Sequence, residues 1–210
     1  MSSVAFTDFF PDILPFVVGC PDPTAINAIR NTCINFCSQT NVWQETQDAE
    51  SVTANSLPYD LTGPSQSMVI QIMSCKVDGI LLDPVTLDYL DSRFPNWEDT
   101  TGSPHFYFKP NTAQLSLYPL PERASVLRLR VSYAPTRDSL LIDSAIRDNN
   151  TPVIASGALA ALLMIPGQSW SDPKLALYHA AIYAAGVTET LNDTQKSFSR
   201  ARNRVRSHPF

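Results

Sequence analysis

Apolar residues are concentrated between positions 145 and 187, and their spacing predicts two consecutive helices. From about Ile154 to Ile165 nearly every residue is a small or branched aliphatic, which is typical of a helix buried on almost every side. Pro166-Gly167 ends this helix, because proline cannot continue the hydrogen-bond ladder and glycine adopts the turn. The second helix is predicted to begin at Asp172-Pro173, with the aspartate as N-cap, and one of its faces carries Leu175, Tyr178, Ile182 and Ala185.

The same start signal, Asp22-Pro23, occurs near the beginning of the chain. Apolar residues follow it at spacings of three, four and three, at Ile26, Ile29, Cys33 and Phe36. We therefore expect a helix over 23–39. Residues 4–18 are apolar and interrupted by prolines, and we expect them to form an ordered arm or a short helix over apolar surface.

Between Trp43 and Ala134 the apolar period shortens to about two residues, which predicts β-strands. Asp78-Gly79 is a strong hairpin signal, and Thr86 is a candidate cap for a short helix over 87–93. The last strand alternates cleanly, with one set of side chains on each face: Val126, Arg128, Arg130 and Ser132 on one, and Leu127, Leu129, Val131 and Tyr133 on the other. We expect a small antiparallel sheet or partial barrel of five to seven strands.

These elements predict an α+β fold in which helices from both ends of the chain form a helical bundle. Residues 1–42 supply an N-terminal arm and helix, and residues 135–195 supply the C-terminal helices that complete the helical domain. The β-rich segment 43–134 is inserted between them. Residues 196–210 form an extended, basic C-terminal arm.

Composition and charge favour an assembly protein over an ordinary monomer. Charged residues make up only 17% of the chain and hydrophobic residues 44%, which suggests that much of the surface is not meant for water. Five positive charges and no acid follow Gln195, and the whole chain has a net charge of −5, so residues 1–195 carry −10. The body of the protein is therefore acidic and its tail basic.

The tail places Arg200, Arg202, Arg204 and Arg206 at every second position, so on an extended chain they project to one side. One interpretation is a solvated basic tail. Another is an arm that docks in an acidic groove or adds a strand to a partner's sheet, anchored by Phe198, Val205 and Phe210. A third is nucleic-acid binding, which the acidic body disfavours.

Candidate catalytic and metal-binding groups are few. Cys33 and Cys37 have a ligand spacing, but no second close pair completes a site, and the four cysteines are expected to be buried, reduced thiols of a cytosolic protein. No cofactor motif is present. Asp83, Asp88 and Asp91, with Glu98-Asp99, would suit a metal-dependent nuclease, although helix caps and a solvated loop explain them better. The longest apolar run, Val153–Ile165, is too short to span a membrane.

Several short motifs of the chain resemble those of the head-to-tail adaptor (connector) proteins of tailed bacteriophages. They follow one another along the chain in the order given below. The early motifs are Asp22-Pro23, Asp78-Gly79, Leu82-Asp-Pro-Val, Phe94-Pro-Asn-Trp, Gly102-Ser-Pro-His-Phe-Tyr and Leu115-Ser-Leu-Tyr-Pro-Leu-Pro. The later ones are Tyr133-Ala-Pro-Thr-Arg, Gly157-Ala-Leu-Ala-Ala-Leu-Leu-Met, Pro166-Gly167, Trp170-Ser-Asp-Pro and Arg204-Val-Arg-Ser-His-Pro-Phe. None of these motifs is catalytic.

The resemblance implies a virion structural protein without enzymatic activity or cofactor, assembled in the host cytoplasm. Such adaptors form a dodecameric ring under the portal, extend the DNA channel without sequence-specific binding, and dock the next neck or tail ring. The C-terminal arm would grip the portal through Phe198, Arg200, Arg202, Arg204, Val205, Arg206 and Phe210. The helices would pack side by side around the ring through Leu159, Leu163, Trp170, Leu175, Tyr178 and Ile182. The alternatives are a tail tube or gatekeeper ring, a metal-dependent nuclease, and a DNA-binding packaging accessory.

Overall fold

The computed structural model describes residues 3–47, 50–52 and 58–196. These residues form five α-helices: α1 (Phe10–Ile13), α2 (Asp22–Thr40), α3 (Leu87–Arg93), α4 (Ser144–Leu163) and α5 (Pro173–Gln195). Short 3-10 turns lie at Phe6–Phe9, Leu14–Phe16 and Trp97–Asp99. A membrane crossing would need a longer or more apolar helix than any that the described residues contain.

The described residues also form thirteen strands, most of them short. They are β1 (Ser3–Ala5), β2 (Gln44–Thr46), β3 (Glu50–Val52), β4 (Tyr59–Asp60), β5 (Ser67–Val77), β6 (Ile80–Leu81), β7 (Asp83–Pro84), β8 (Thr101–Gly102), β9 (Phe106–Asn111), β10 (Gln114–Tyr118), β11 (Leu120–Pro121), β12 (Ser125–Pro135) and β13 (Leu141–Asp143). The largest sheet has the order β2-β12-β5-β6, with β3 also paired to β12, and a four-stranded sheet has the order β4-β10-β9-β7. Two-stranded sheets join β1 to β13 and β8 to β11.

The chain divides into two compact units. One unit, the helical unit, contains the described residues up to Trp43 and those from Ala134 onward, and the other, the β-rich unit, is Gln44–Tyr133. The helical unit holds α1, α2, α4, α5 and the β1–β13 pair. The β-rich unit holds α3 and the remaining strands.

Two glycines allow the long helices of the helical unit to approach closely. A Cβ on Gly157 of α4 would lie 2.5 Å from Thr32 Cγ2 of α2 and 2.7 Å from Tyr183 Cδ2 of α5, so only glycine fits where the three helices meet. A Cβ on Gly186 of α5 would lie 2.5 Å from Val153 Cγ2 of α4. The N-terminal segment completes this core with Phe6, Phe9, Ile13 and Val17, all of which are buried.

In the β-rich unit, β12 has one face in the core and the other exposed. Leu127, Leu129 and Val131 are buried, whereas Val126, Arg128 and Arg130 are exposed, which confirms the predicted alternation up to this point. Ser132 was predicted on the exposed face but is buried, and its hydroxyl donates to the Gln71 carbonyl at 3.3 Å. A second cluster packs α3 on β9 and β10 through Leu90, Phe108 and Tyr118, with Val85, Phe94, Trp97 and Phe106 around them.

Three of the local turn and cap predictions are confirmed. Asp78 and Gly79 both have positive φ, of 49° and 84°, and join β5 to β6. The Thr86 hydroxyl accepts from the Tyr89 amide at 3.2 Å and caps α3. Asp172 Oδ1 accepts from the amides of Lys174 and Leu175, each at 3.0 Å, and caps α5.

The α+β class is correct, but the prediction of a helical bundle is wrong, and so is that of a single inserted antiparallel sheet. The long helices share their unit with the β1–β13 sheet and with the N-terminal turns, whose aromatic side chains fill the core. The β-rich unit contains several sheets, and the β7–β9 and β8–β11 pairs are parallel. A period of two predicts strands but does not encode which distant strands pair, or in which direction. The predicted extended arm, 196–210, lies outside the described residues beyond Lys196.

Two helix starts also differ from prediction. α2 begins at Asp22 with Pro21 as its N-cap, and the Asp22 side chain makes no cap hydrogen bond. α4 begins at Ser144, ten residues before the predicted start, and contains Pro152. Asp143 caps it by accepting from the Ala145 amide at 2.9 Å. The helix continues through the proline, where the side chains of Asn150 and Thr151 donate to carbonyls one turn earlier.

Candidate functional site

The first four turns of α5 present an apolar face to solvent. No Asp, Glu, Lys or Arg occurs from Leu175 to Thr188. The exposed apolar side chains in this stretch, which we call the apolar face of α5, are Leu177, Tyr178, Ala180, Ala181, Ala184 and Ala185. Leu177 is 65% exposed and Tyr178 61%. A helix face that meets water is normally charged or polar, so this face has the composition of one covered by another chain.

The N-terminal segment extends the apolar surface beside α5. Phe16, which is 53% exposed, places its ring 5.9 Å from the His179 imidazole in an edge-to-face arrangement. The Tyr178 ring lies 5.5 Å from the same imidazole. Val18 is also exposed. Phe16 and Tyr178 therefore flank His179, and together they widen the apolar surface beyond a single helix.

His179 itself is 8% exposed and faces the interior. Burial lowers its pKa below the usual value, which favours the neutral imidazole. Its Nδ1 atom has no hydrogen-bond partner among the described residues. The buried Trp170 Nε1 and Tyr183 hydroxyl are also without partners in the described part of the chain. This end of the helical unit is therefore held by packing and contains few polar contacts.

The buried face of α5 is not the face that spacing indicated. The buried residues are Ala176, His179, Gly186, Val187 and Thr194, about a third of a turn from the predicted face of Leu175, Tyr178, Ile182 and Ala185. Small residues point inward because α4 approaches closely at Gly186. The larger Leu177 and Tyr178 consequently point outward. Sequence reasoning missed Leu177 because it followed one set of residues at spacings of three and four, and Leu177 does not belong to that set.

The six residues predicted to pack subunits together fall into two groups. Leu159 and Leu163 of α4 are 2% and 1% exposed, so their side chains lie in the core of the chain. Trp170, Leu175 and Ile182 are half-buried and Tyr178 is exposed. Only the second group has surface to offer a neighbouring chain. Their role in subunit packing stays a prediction.

The seven residues predicted to bind the portal lie outside the described residues. They are Phe198, Arg200, Arg202, Arg204, Val205, Arg206 and Phe210. Their role as an arm also stays a prediction.

The groups considered for chemistry are not arranged for it. All four cysteines are buried, free thiols, as predicted. Burial raises the pKa of Cys37 to about 12, with the nearby Asp143 carboxylate acting in the same direction, and burial also raises that of Cys75 to about 12. Among the described residues, no three His, Cys, Asp or Glu side chains are grouped so that they could hold a metal ion. Asp91 instead accepts a hydrogen bond from Trp97 Nε1 at 2.7 Å.

The exposed, uncharged helix face is typical of surfaces that are covered in protein assemblies. Comparison with protein families identifies the family of the chain. The model of the SU10 adaptor protein family matches residues 19–207. The chain therefore belongs to the SU10 adaptor protein family, which agrees with its resemblance to phage head-to-tail adaptors. A search of curated proteins finds no match.

Membership indicates a phage adaptor, a structural component of the virion that contacts other head and tail proteins. The match begins before α2 and ends within the basic tail, so it covers both compact units.

Proposed function

We propose that this adaptor forms a ring under the portal, in which copies pack side by side through the apolar face of α5. In this proposal the ring contains twelve copies, extends the DNA channel, and docks the next neck or tail ring. The observation that carries it is the 14-residue uncharged stretch Leu175–Thr188, half of which is exposed. Full burial of a side chain such as Leu177 contributes about 1.5–3 kcal/mol.

The basic tail supports the portal contact. Residues 196–210 carry five positive charges and no negative charge. Each exposed ion pair contributes only about 0–1 kcal/mol. Several arginines engaged together with Phe198 and Phe210 would hold the ring more firmly, since apolar anchoring adds to the charge pairs. The portal surface that receives them is accordingly acidic.

The negative charge of the protein body supports the proposal of a channel through which DNA passes without being bound. Residues 1–195 carry a net charge of −10. A negative lumen repels DNA phosphates, so the genome slides past without being held.

The experiment combines the purified chain with the portal of its phage and counts copies by native mass spectrometry. We expect rings on the portal, and we expect deletion of residues 197–210 to abolish attachment while leaving the thermal unfolding midpoint of the free chain unchanged. Changing Arg200, Arg202, Arg204 and Arg206 to glutamine should release the ring, whereas changing them to lysine should release it less. Retained attachment together with lost DNA binding would instead favour a DNA-binding accessory.

A further inference from the structure

The exposed face of the largest sheet carries three positive charges in a protein body that is otherwise acidic. Lys76 lies on β5, and Arg128 and Arg130 lie on the neighbouring strand β12, all exposed. They line a groove of 870 Å³ together with Thr46, Ser74 and Val126. We call this surface the basic sheet face. It lies entirely within the β-rich unit.

These cations have no carboxylate within ion-pair distance among the described residues. Asp78 also lines the groove, but its carboxylate accepts the Val126 amide at 2.8 Å and serves the hairpin. Glu45, on β2, is paired with the buried Val131 and so points to the opposite side of the sheet from Arg130. Among the described residues, the basic sheet face therefore carries three cations and one carboxylate, which leaves it with a net positive charge.

The same unit carries a second surface of opposite sign. Asp88, Asp91, Glu98 and Asp99 are exposed on α3 and the turn after it, with Arg93 the one basic residue among them. We call residues 88–99 the acidic segment. No cation lies within ion-pair distance of these four carboxylates in the described part of the chain. Within one copy, the two charged surfaces do not neutralise each other.

Both surfaces also expose apolar side chains beside their charges. Val126 is 45% exposed on the basic sheet face, and Leu87 and Tyr89 are 39% and 42% exposed beside Asp88. Apolar contacts with complementary charges are the usual make-up of a protein–protein interface.

We infer that the acidic segment of one copy docks on the basic sheet face of the next copy. A contact between two different surfaces of identical subunits is heterologous, and it closes into a ring when the rotation between neighbours allows it. This inference rests on the proposed ring and adds a second, electrostatic contact between β-rich units to the apolar contact between helices. Duplex DNA is the weaker occupant, because the acidic body repels it at long range.

Charge reversal tests the pairing directly, using the full chain on the portal. Arg128→Glu with Arg130→Glu makes both surfaces acidic, and Asp88→Lys with Glu98→Lys makes both basic. We expect either variant alone to lose ring assembly at least about tenfold, because like charges then meet at every contact. Mixing the two variants should restore rings in which they alternate, and so should all four changes in one chain. Arg123→Glu, an exposed charge reversal in the same unit, is the control and should assemble normally.

The outcomes of these experiments distinguish the proposed contact between copies from a contact with DNA and from the absence of a ring. If wild-type chain forms rings and both reversal variants also form them, the ring stands and this contact is wrong. If the variants fail alone and mixing does not restore assembly, the partner is not a second copy, and the inference is overturned. If Arg128→Glu with Arg130→Glu loses only its affinity for a fluorescent DNA duplex, the sheet face contacts DNA instead. A wild-type chain that never assembles on the portal would overturn the ring as well.

Discussion

Helices α4 and α5 follow one another in the chain and are both rich in alanine and leucine, but they are buried to very different extents. Ten of the twenty residues of α4 are buried, against five of the twenty-three residues of α5. α4 packs against both α2 and α5, so the chain itself covers much of its apolar surface. α5 is covered by α4 and α2 only along one face, and Leu177 and Tyr178 remain exposed.

The difference in burial between α4 and α5 shows that a helix can be apolar for two reasons: to fill the core of its own chain or to contact another chain. The apolar residues of α4 are explained by the fold of one copy. The fold of one copy does not explain the apolar residues on the outer face of α5, because charged residues would suit these exposed positions equally well. The surplus of apolar surface on α5 is what an assembly contact requires, and the following substitutions test whether the two helices differ in this way.

The largest effect is expected from the same substitution made in each helix. Leu159→Ala in α4 should lower the free energy of unfolding of the free chain by about 2–5 kcal/mol, because it leaves a cavity in the core. Leu177→Ala in α5 should change it by no more than about 0.5 kcal/mol, because that side chain is exposed. Urea denaturation of both variants measures the difference. Equal losses would show that α5 is as enclosed as α4.

The next effect concerns assembly alone. Ala181→Glu with Ala184→Glu places two charges on the apolar face of α5 and should weaken ring assembly by about tenfold or more, equivalent to about 1.4 kcal/mol. The free chain should keep its unfolding free energy, since both positions are exposed. Analytical ultracentrifugation of the chain with portal measures the assembly.

Asn192→Glu is the matched control for this pair. It adds a charge to an exposed position on the polar half of the same helix and should assemble like wild type. If Asn192→Glu weakened assembly as much as the alanine substitutions did, the effect would come from charge in general and not from the apolar face.

A smaller effect is expected at the start of α5. Asp172→Ala removes the acceptor for the Lys174 and Leu175 amides and should lower the unfolding free energy by about 1 kcal/mol. Asp172→Asn should keep most of the stability, because asparagine is as good a cap. Thermal unfolding followed by circular dichroism distinguishes the two. A harmless Asp172→Ala would mean that packing alone fixes where α5 begins.

Local signals in the sequence predicted local structure well. Asp172-Pro173, Thr86 and Asp78-Gly79 each act within a few residues, so the chain around them determines the outcome. The alternation of β12 was equally predictable, because the side chains of a strand with one buried face alternate between the core and solvent. The predicted start of α4 was too late, because the prediction followed the dense apolar run from about Ile154, whereas the helix begins earlier and continues through Pro152.

Features that depend on distant neighbours were not predictable from spacing. The parallel pairs β7–β9 and β8–β11 each join two strands that are not consecutive in the sequence. The outward face of α5 depends on Gly157 and Gly186, which bring the helices so close that small residues must face inward. Sequence alone showed that α5 is apolar but could not show which of its apolar residues the rest of the chain leaves uncovered.

The smallest expected effect is a pH dependence that originates at His179. Burial lowers its folded-state pKa, while in the unfolded chain the imidazole titrates near its usual value of about 6.5. Below that pH the unfolded state binds a proton that the folded state does not, so stability is fully present above about 6.5 and is lost as the pH falls toward the folded pKa. Because the flanking Phe16 and Tyr178 belong to the surface that a neighbouring copy would cover, assembly should steepen this dependence.

His179→Gln isolates the contribution of this residue, because the glutamine side chain is polar but does not titrate. Unfolding midpoints measured from pH 8 to pH 5 should fall less for His179→Gln than for wild type, and the gap should widen when the chain is assembled on the portal. Parallel curves for the two proteins would mean that His179 takes up a proton as readily in the folded chain as in the unfolded one. A gap that is the same in free and assembled chain would mean that the contact between copies does not reach this end of α5.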